Sequence, residues 1–403
     1  MDKLLKNKTF WQMFRYGTVT AVSQILIFGG LFVFVEFLGI SPSLSYFIIL
    51  TINYVGVYIA YTKFVFDVEF SGERMKRFVV LLGIIWVLNN SFFNLLLKVF
   101  EVQYLIAALL NIIILGLVRF FLQKTFVFND ESDVKNKIAL TFDLEIWHES
   151  EWIQKNLDDL NPRDYLEESV EPILRLLKDK GGKATFFVTN QVLEKYPDLI
   201  KQISSLGHEI GSHCFEHRRL EKIVPKEFEE KMRQQVDLLE KITGKKPRGF
   251  RAPHFSLDDK NKWALPILAE LGFKYDSSIF PVKTREYGVA KAPLAPYKIS
   301  SGLWEIPPAV YRFGPVKIPV AGGIYFRIMP LWFFKKILNL VSLERNPVLY
   351  FHPYELYSRT PQIKKGPFLK RKLKYFGIKN SFEKLEKLLD SFQFDTMENI
   401  LKL

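Results

Sequence analysis

Four apolar stretches open the chain, and short strand-like runs alternating with amphipathic helical ones fill the rest. Residues 17–39, 44–61, 78–99 and 104–121 each approach the ~20 apolar positions a helix needs to cross a hydrocarbon core, and the turns 40–43 and 100–103 join them as two hairpins. From Lys137 onward the period changes. Strands are expected at 138–142, 184–188, 208–212, 249–252, 274–276, 303–306 and 348–352, with helices at 165–178, 191–205, 226–243 and 261–271 between them. That alternation predicts parallel β/α units. The change falls in a polar run, so the expected organisation is a four-helix membrane domain over 1–129, a linker over 130–136 and an α/β domain over 137–403. The last stretch, 381–403, reads as an amphipathic helix closing that domain.

Basic residues give the first half an orientation. Lys3, Lys6, Lys8 and Arg15 precede the first stretch, Lys63, Arg74, Lys76 and Arg77 lie between the hairpins, and Arg119 and Lys124 end the fourth. The two short turns hold no Lys or Arg. Cytoplasmic flanks carry such an excess, so both termini are expected in the cytoplasm and the chain in the inner or plasma membrane. No cleavable signal peptide is expected ahead of the first stretch. The hairpins also look like copies of one another: Asn53 leads to Lys63-Phe-Val-Phe-Asp67 and Asn111 to Thr125-Phe-Val-Phe-Asn129, a parallel repeat. Polar residues within the stretches, Glu36, Asn89, Asn90, Asn94 and Arg119, read either as functional or as interhelical hydrogen bonding and snorkelling.

The net charge of +13 fits contact with anionic lipid. No nucleic-acid motif accompanies it, so nucleic acid is not an expected partner. A basic stretch, 364–379, interleaves Phe368, Tyr375 and Phe376 with lysines, which suits a headgroup surface or a solvated face. Cys214 is the only cysteine. It allows no intrachain disulfide, and without a paired base it reads as a small buried spacer.

Polar residues cluster where strands are expected to end: Asp143, His213, Arg251, Asp276 and His352. In a β/α barrel that is the face where catalytic groups gather. His213 and His217 are four apart, so a helical turn after the strand would bring both imidazoles to one side. Two histidines and a carboxylate leave Zn²⁺ an open position, the arrangement of a catalytic site. In Thr141-Phe-Asp-Leu-Glu145 an extended chain points Asp143 and Glu145 the same way, one for the metal and one for a proton.

The first half resembles the GtrA-like family of four-helix membrane proteins through Phe14-Arg-Tyr-Gly17 and the aromatic, basic ends of the second and fourth stretches. That resemblance implies a polyprenyl-phosphate-linked sugar nearby. The second half resembles polysaccharide deacetylases of the NodB-homology type, in the branch of exopolysaccharide and exosortase-associated clusters. The matching segments are Thr141 to Glu145, His213 to His217, Phe250-Arg-Ala-Pro-His-Phe255, Tyr275-Asp-Ser-Ser278, Gly302-Leu-Trp-Glu-Ile-Pro-Pro308, Ala321-Gly-Gly-Ile-Tyr-Phe-Arg327 and Phe351-His-Pro-Tyr-Glu355. It implies a distorted (β/α) barrel and a divalent metal, Zn²⁺ first, held by His213, His217 and a carboxylate. It further implies Asp143 as general base, Arg251 orienting it, His352 as general acid and Asp276 as that histidine's partner. Many members have adjacent aspartates where this chain has Asp143-Leu144, so Glu145 is expected as the third metal ligand.

Trp147, His148, His254, Tyr325 and Arg327 are expected at the rim of the substrate site, the aromatics against a sugar face and Arg327 on a phosphate. The expected function is N-deacetylation of an N-acyl amino sugar carried on polyprenyl phosphate or in a polysaccharide. The alternatives are a lipid-linked sugar translocase whose soluble half recognises cargo, and an amidohydrolase acting on a non-sugar amide.

Overall fold

A computed structural model describes residues 8–98, 100, 110, 114–116, 118–128, 137–157, 162–284, 287–299, 301–313 and 316–402. It divides into two units, Met1–Glu131 and Ser132–Leu403.

The first unit is helical: α1 (Lys8–Phe32), α2 (Pro42–Ala60) and α3 (Gly72–Lys98). Helices α1 and α2 each run on into a π-helical turn, Val33–Phe37 and Tyr61–Val65, and a third such turn is Gln123–Val127. Phe66 and Phe128 follow the last two turns and stack with centroids 4.4 Å apart and planes 11° apart. The two Phe-Val-Phe segments therefore end alike and meet in one aromatic core with Tyr58 and Phe78. Asn53 Nδ2 donates to Ser23 Oγ at 2.8 Å, tying α2 to α1 through a buried polar pair.

Helices form over the first three of the four expected stretches. Among the described residues, no helix is long and apolar enough to cross a membrane. Most of 104–121 lies outside the described residues, as do the linker 130–136 and the side chains of Asn89, Asn90 and Asn94.

The second unit is built on β1 (Ile138–Leu144), β2 (Thr185–Val188), β3 (Glu209–Ser212), β4 (Gly249–Phe250), β5 (Tyr275–Asp276), β6 (Tyr297–Lys298), β7 (Trp304–Glu305), β8 (Val310–Phe313), β9 (Val316–Pro319), β10 (Val348–Phe351) and β11 (Phe394–Asp395). The main sheet runs β10-β1-β2-β3-β4-β5-β7-β6, with β11 beside β1. All its pairings are parallel except that of β6 with β7. Every residue of β1 is buried, as a strand covered on both faces requires. Just beyond β7, the Ala309 N–H donates to the Val348 carbonyl at 2.9 Å. That bond brings the far side of the sheet to β10 and rolls it into a distorted barrel. Inside pack Ala139, Phe187, Tyr275, Ile306, Val348 and Met397.

The helices are α4 (Leu166–Asp179), α5 (Pro197–Ser205), α6 (Pro225–Thr243), α7 (Ala264–Glu270), α8 (Gly323–Ile328), α9 (Leu331–Glu344), α10 (Phe368–Tyr375) and α11 (Ile378–Leu389). The helix expected over 191–205 is two, because Tyr196 precedes Pro197 and is driven to φ −130°, ψ 49°. The single closing helix expected over 381–403 is also corrected. The chain leaves α11, adds β11 in parallel register with Ile138 and Ala139, and ends on the short helix Met397–Leu401.

Candidate active site

Strands β1 and β3 deliver three metal-binding groups to one end of the barrel. One ligand atom each from Glu145, His213 and His217 lies within 4.8 Å of the others. Nε2 of His217 is in contact with Glu145 Oε2, and Nε2 of His213 lies 4.0 Å from the same oxygen. The histidines do not meet on a helix as expected. They converge through a loop that turns on Cys214 at φ +66°, a left-handed conformation unusual for a side chain. Gln235 of α6 braces the turn, donating to the carbonyls of Cys214 at 2.7 Å and Val188 at 3.2 Å. Burial raises the Cys214 thiol to about 12, so it stays protonated and inert.

The donor set fits a divalent metal. Nδ1–H of His213 donates to the Arg251 carbonyl at 2.9 Å, which leaves Nε2 unprotonated and facing Glu145. Burial holds His213 down to about 4, hence neutral. The buried Oε2 of Glu145 faces the ring nitrogens of both histidines and meets no other polar partner, and a buried carboxylate oxygen so placed is costly unless a cation takes it. Its other oxygen accepts from Tyr354 OH at 2.9 Å. Burial works against the Glu145 charge, yet the neighbouring His217 and His352 outweigh it and hold the carboxyl well below its ordinary value. Two nitrogens and one oxygen are the ligands of a zinc site with an open position.

Asp143 sits at the end of β1, and Arg251, just after β4, reaches it across the barrel. Nη1 of Arg251 donates to Asp143 Oδ1 and to Thr141 Oγ1, both at 2.7 Å. Its remaining donors meet Ser277, Nε the carbonyl at 3.2 Å and Nη2 the hydroxyl at 3.1 Å. The guanidinium is fully buried with its carbon 4.3 Å from the Phe187 ring centroid. Fixed on every side, it keeps the carboxylate aimed.

His352 follows β10 with Nε2 3.5 Å from Glu145 Oε1. Here the expected partner is wrong. Asp276 is buried with Ser278, which donates to it, and shares that pocket with the carboxyl of Glu305. Nδ1–H of His352 donates instead to Glu355 Oε2 at 2.9 Å. Burial opposes a charge on His352, but Glu145 and Glu355 outweigh it and raise the ring to about 9. Glu355 in turn accepts from Arg327 Nη2 at 3.0 Å. Burial would raise the Glu355 carboxyl; His352 and Arg327 prevail and lower it to about 2.

That contact corrects the reading of Arg327 as a substrate-phosphate ligand. Its donors are taken by Glu355, by the carbonyls of Lys374 at 2.7 Å and Phe376 at 3.0 Å, and by that of Gly323 at 3.1 Å. The Gly322-Gly323 pair beside it is a close approach: a Cβ on Gly323 would lie 2.2 Å from Glu355 Oε2. Trp147 is corrected too, being buried with its indole N–H donated to the Arg163 carbonyl at 2.9 Å. His148 packs edge-on against it. His254 does border the metal ligands, its ring 4.4 Å from that of His217 and held to about 3 by burial. Tyr325 is half-buried. Glu355 and Tyr354 were overlooked although both stand in Phe351-His-Pro-Tyr-Glu355. A carboxylate three residues after a histidine in a one-turn segment was the available clue.

Residues 130–275 match the polysaccharide deacetylase family, and residues 277–402 match a domain of unknown function, DUF3473. The chain is 34% identical over 93 residues to a peptidoglycan-N-acetylglucosamine deacetylase of Bacillus cereus, covering 23% of this chain and 34% of that protein. It is 30% identical over 113 residues to a peptidoglycan deacetylase of Helicobacter pylori, covering 28% and 38%. A peptidoglycan deacetylase-like protein of Gibberella zeae is 30% identical over 174 residues, covering 41% and 50%. The chain thus spans between a third and a half of the length of these relatives. Arg327 and the His352–Glu355 pair lie in the DUF3473 segment, whereas Asp143, Glu145, His213, His217 and Arg251 lie in the deacetylase segment.

Proposed function

We propose that the chain, with a polysaccharide deacetylase domain over 130–275, is a metal-dependent hydrolase that removes the N-acyl group of an amino sugar. The observation that carries this reading is the convergence of the Glu145, His213 and His217 cluster with His352, which faces Glu145, while Arg251 accepts from the His213 ring through its backbone carbonyl and bonds the carboxylate of Asp143 through its guanidinium. Zn²⁺ held by Glu145, His213 and His217 would activate a water and polarise the acyl carbonyl. Asp143, oriented by Arg251, takes a proton from the attacking water as its oxygen bonds to the carbonyl carbon. His352 gives a proton to the departing nitrogen, so the C–N bond breaks to a free amine and a carboxylic acid. Glu355, anchored by Arg327, holds the His352 ring in place and supports its positive charge.

The substrate we propose is an N-acetyl or N-formyl amino sugar linked to a polyprenyl phosphate, with an exopolysaccharide chain as the polymeric form. In this reading the first unit holds the chain at the inner or plasma membrane, the catalytic unit on the cytoplasmic side. Support comes from the basic flanks and from the apolar side chains that α1, α2 and α3 leave exposed, among them Ile25, Leu26, Ile52, Trp86 and Val87. Acetate and formate release from lipid-linked N-acyl sugars by the full chain, with and without chelator and alongside Asp143→Asn, tests the reading. Release that needs both metal and Asp143 supports it. Release only from free glycan moves the substrate to polymer, and no release from either sinks the hydrolase.

A further inference from the structure

Helix α10 (Phe368–Tyr375) is amphipathic, yet it turns an apolar and cationic face outward. Its inner face is held by the catalytic unit. Arg371 Nε donates to the Gly366 carbonyl at 3.2 Å, Tyr375 OH accepts from the Ile363 N–H at 3.1 Å, and Lys374 lies 5.5 Å from the Tyr354 ring. Tyr354 is the residue whose hydroxyl bonds Glu145, so this face reaches the edge of the active site. On the outer face Phe368 is 65% exposed, Leu369 69%, Leu373 42%, and Phe376, just after the helix, 55%. Positions 368, 369, 372, 373 and 376 fall on one side of a helix at 3.6 residues per turn. Lys372 shares that side with its ammonium 5.2 Å from the Phe368 ring centroid. Between Lys364 and Phe382 there are seven Lys or Arg and no Asp or Glu.

A helix left this way in water would expose four large apolar side chains for no gain. Apolar residues level with a ring of cations match one environment, the boundary between the acyl chains and the headgroups of an anionic bilayer. We infer that α10 is an interfacial helix that seats the mouth of the active site on an anionic lipid surface. The partner is the membrane itself, recognised by apolar insertion together with positive charge. This surface does not depend on the deacetylase reading, since lipid contact is measured without a substrate.

The test uses the full chain in vesicles with a fluorophore on Leu369→Cys. The native Cys214 is buried and stays unlabelled. A matched label on Lys226→Cys, on the exposed start of α6, is the reference. Nitroxide-bearing lipid should quench the label at 369 several-fold more than the label at 226. The difference should be large in vesicles containing phosphatidylglycerol and small in pure phosphatidylcholine. Each basic residue near an anionic surface is worth roughly five-fold in partitioning, so Lys372→Glu with Lys379→Glu should weaken the contact by about ten-fold or more. Equal quenching at the two sites, or no dependence on anionic lipid, overturns the inference. So does a label that responds to soluble acidic glycan and not to vesicles, which would make the face a glycan surface. None of these outcomes bears on whether acyl groups are released.

Discussion

Arg327 and Glu355 form a buried ion pair at 3.0 Å, and through Glu355 the arginine supports the imidazole of His352. The arginine also caps the carbonyls that end α10, so one guanidinium fixes both the carboxylate and the surface helix. Replacing it by methionine leaves Glu355 charged and buried with one partner fewer. Breaking such a pair costs about 3–5 kcal/mol. Arg327→Met should therefore lower the unfolding midpoint strongly, as read by chemical denaturation, while Lys at the same position should recover part of the loss. A methionine variant as stable as the parent would remove the pair from the account.

Glu355→Gln asks a narrower question, since the amide keeps the shape and loses the charge. With Glu355 neutral, His352 keeps the support of Glu145 and Asp143 but loses its hydrogen-bonded carboxylate, and its pKa should fall. We expect kcat to drop by about 10–100-fold, the range for losing a group that orients a functional imidazole, with KM little changed. The alkaline limb of the pH–rate profile should move to lower pH. A pure KM effect would show that Glu355 touches substrate instead.

Gly323→Ala separates placement from charge. The new Cβ would fall 2.2 Å from one carboxylate oxygen of Glu355 and 2.4 Å from its carbon. Glu355 must shift away, and His352 loses its anchor. The expected outcome is an activity loss similar to that of Glu355→Gln with intact metal content, checked by assay and elemental analysis of the same preparation. Full activity would mean that the carboxylate tolerates displacement.

Much of this was legible beforehand, for a physical reason. The parallel strands are apolar runs bounded by polar turns, so β1, β2, β3 and β10 appear at nearly their true positions. The polar residues at their ends are conspicuous against that background. What escaped was anything set by close approach between distant segments. The family resemblance implies Asp276 as the histidine's partner, yet Asp276 is buried with Ser278 and Glu305. Arg327 was expected on a substrate phosphate, whereas it pairs with Glu355, and the Gly322-Gly323 pair near it makes room for Tyr350 and Glu355. β11 was hidden in a helical-looking tail because its two residues are held by Ile138 and Ala139, more than 250 positions earlier.

Metal affinity should depend on His217 more than on any outer partner. Its Nε2 is in contact with Glu145, and no other group among the described residues stands in its place. His217→Ala should weaken Zn²⁺ binding by more than the ~10–100-fold typical of losing an outer-shell contact. Titration against a fluorescent zinc chelator measures it. Unchanged affinity would show that the cluster is not the metal site.

His208 sets a pH dependence of stability far from the catalytic groups. The Ala184 N–H donates to its Nδ1 at 3.3 Å, so that nitrogen must be unprotonated and the ring neutral. Burial, aided by Lys183, lowers its pKa from the ordinary 6.5 to about 4. Between those values the unfolded chain binds more protons than the folded one. The contribution is therefore complete above about 6.5, declines as pH falls towards 4, and declines no further below that. Glu355, lowered from 4.5 to about 2, loses its own contribution as pH falls between those two values, mostly below the His208 window. Denaturation midpoints for the parent and for His208→Asn should thus converge as pH drops from about 6.5 to 4, because the variant lacks the titrating ring. Two parallel curves across that window would mean that His208 does not resist protonation in the folded chain.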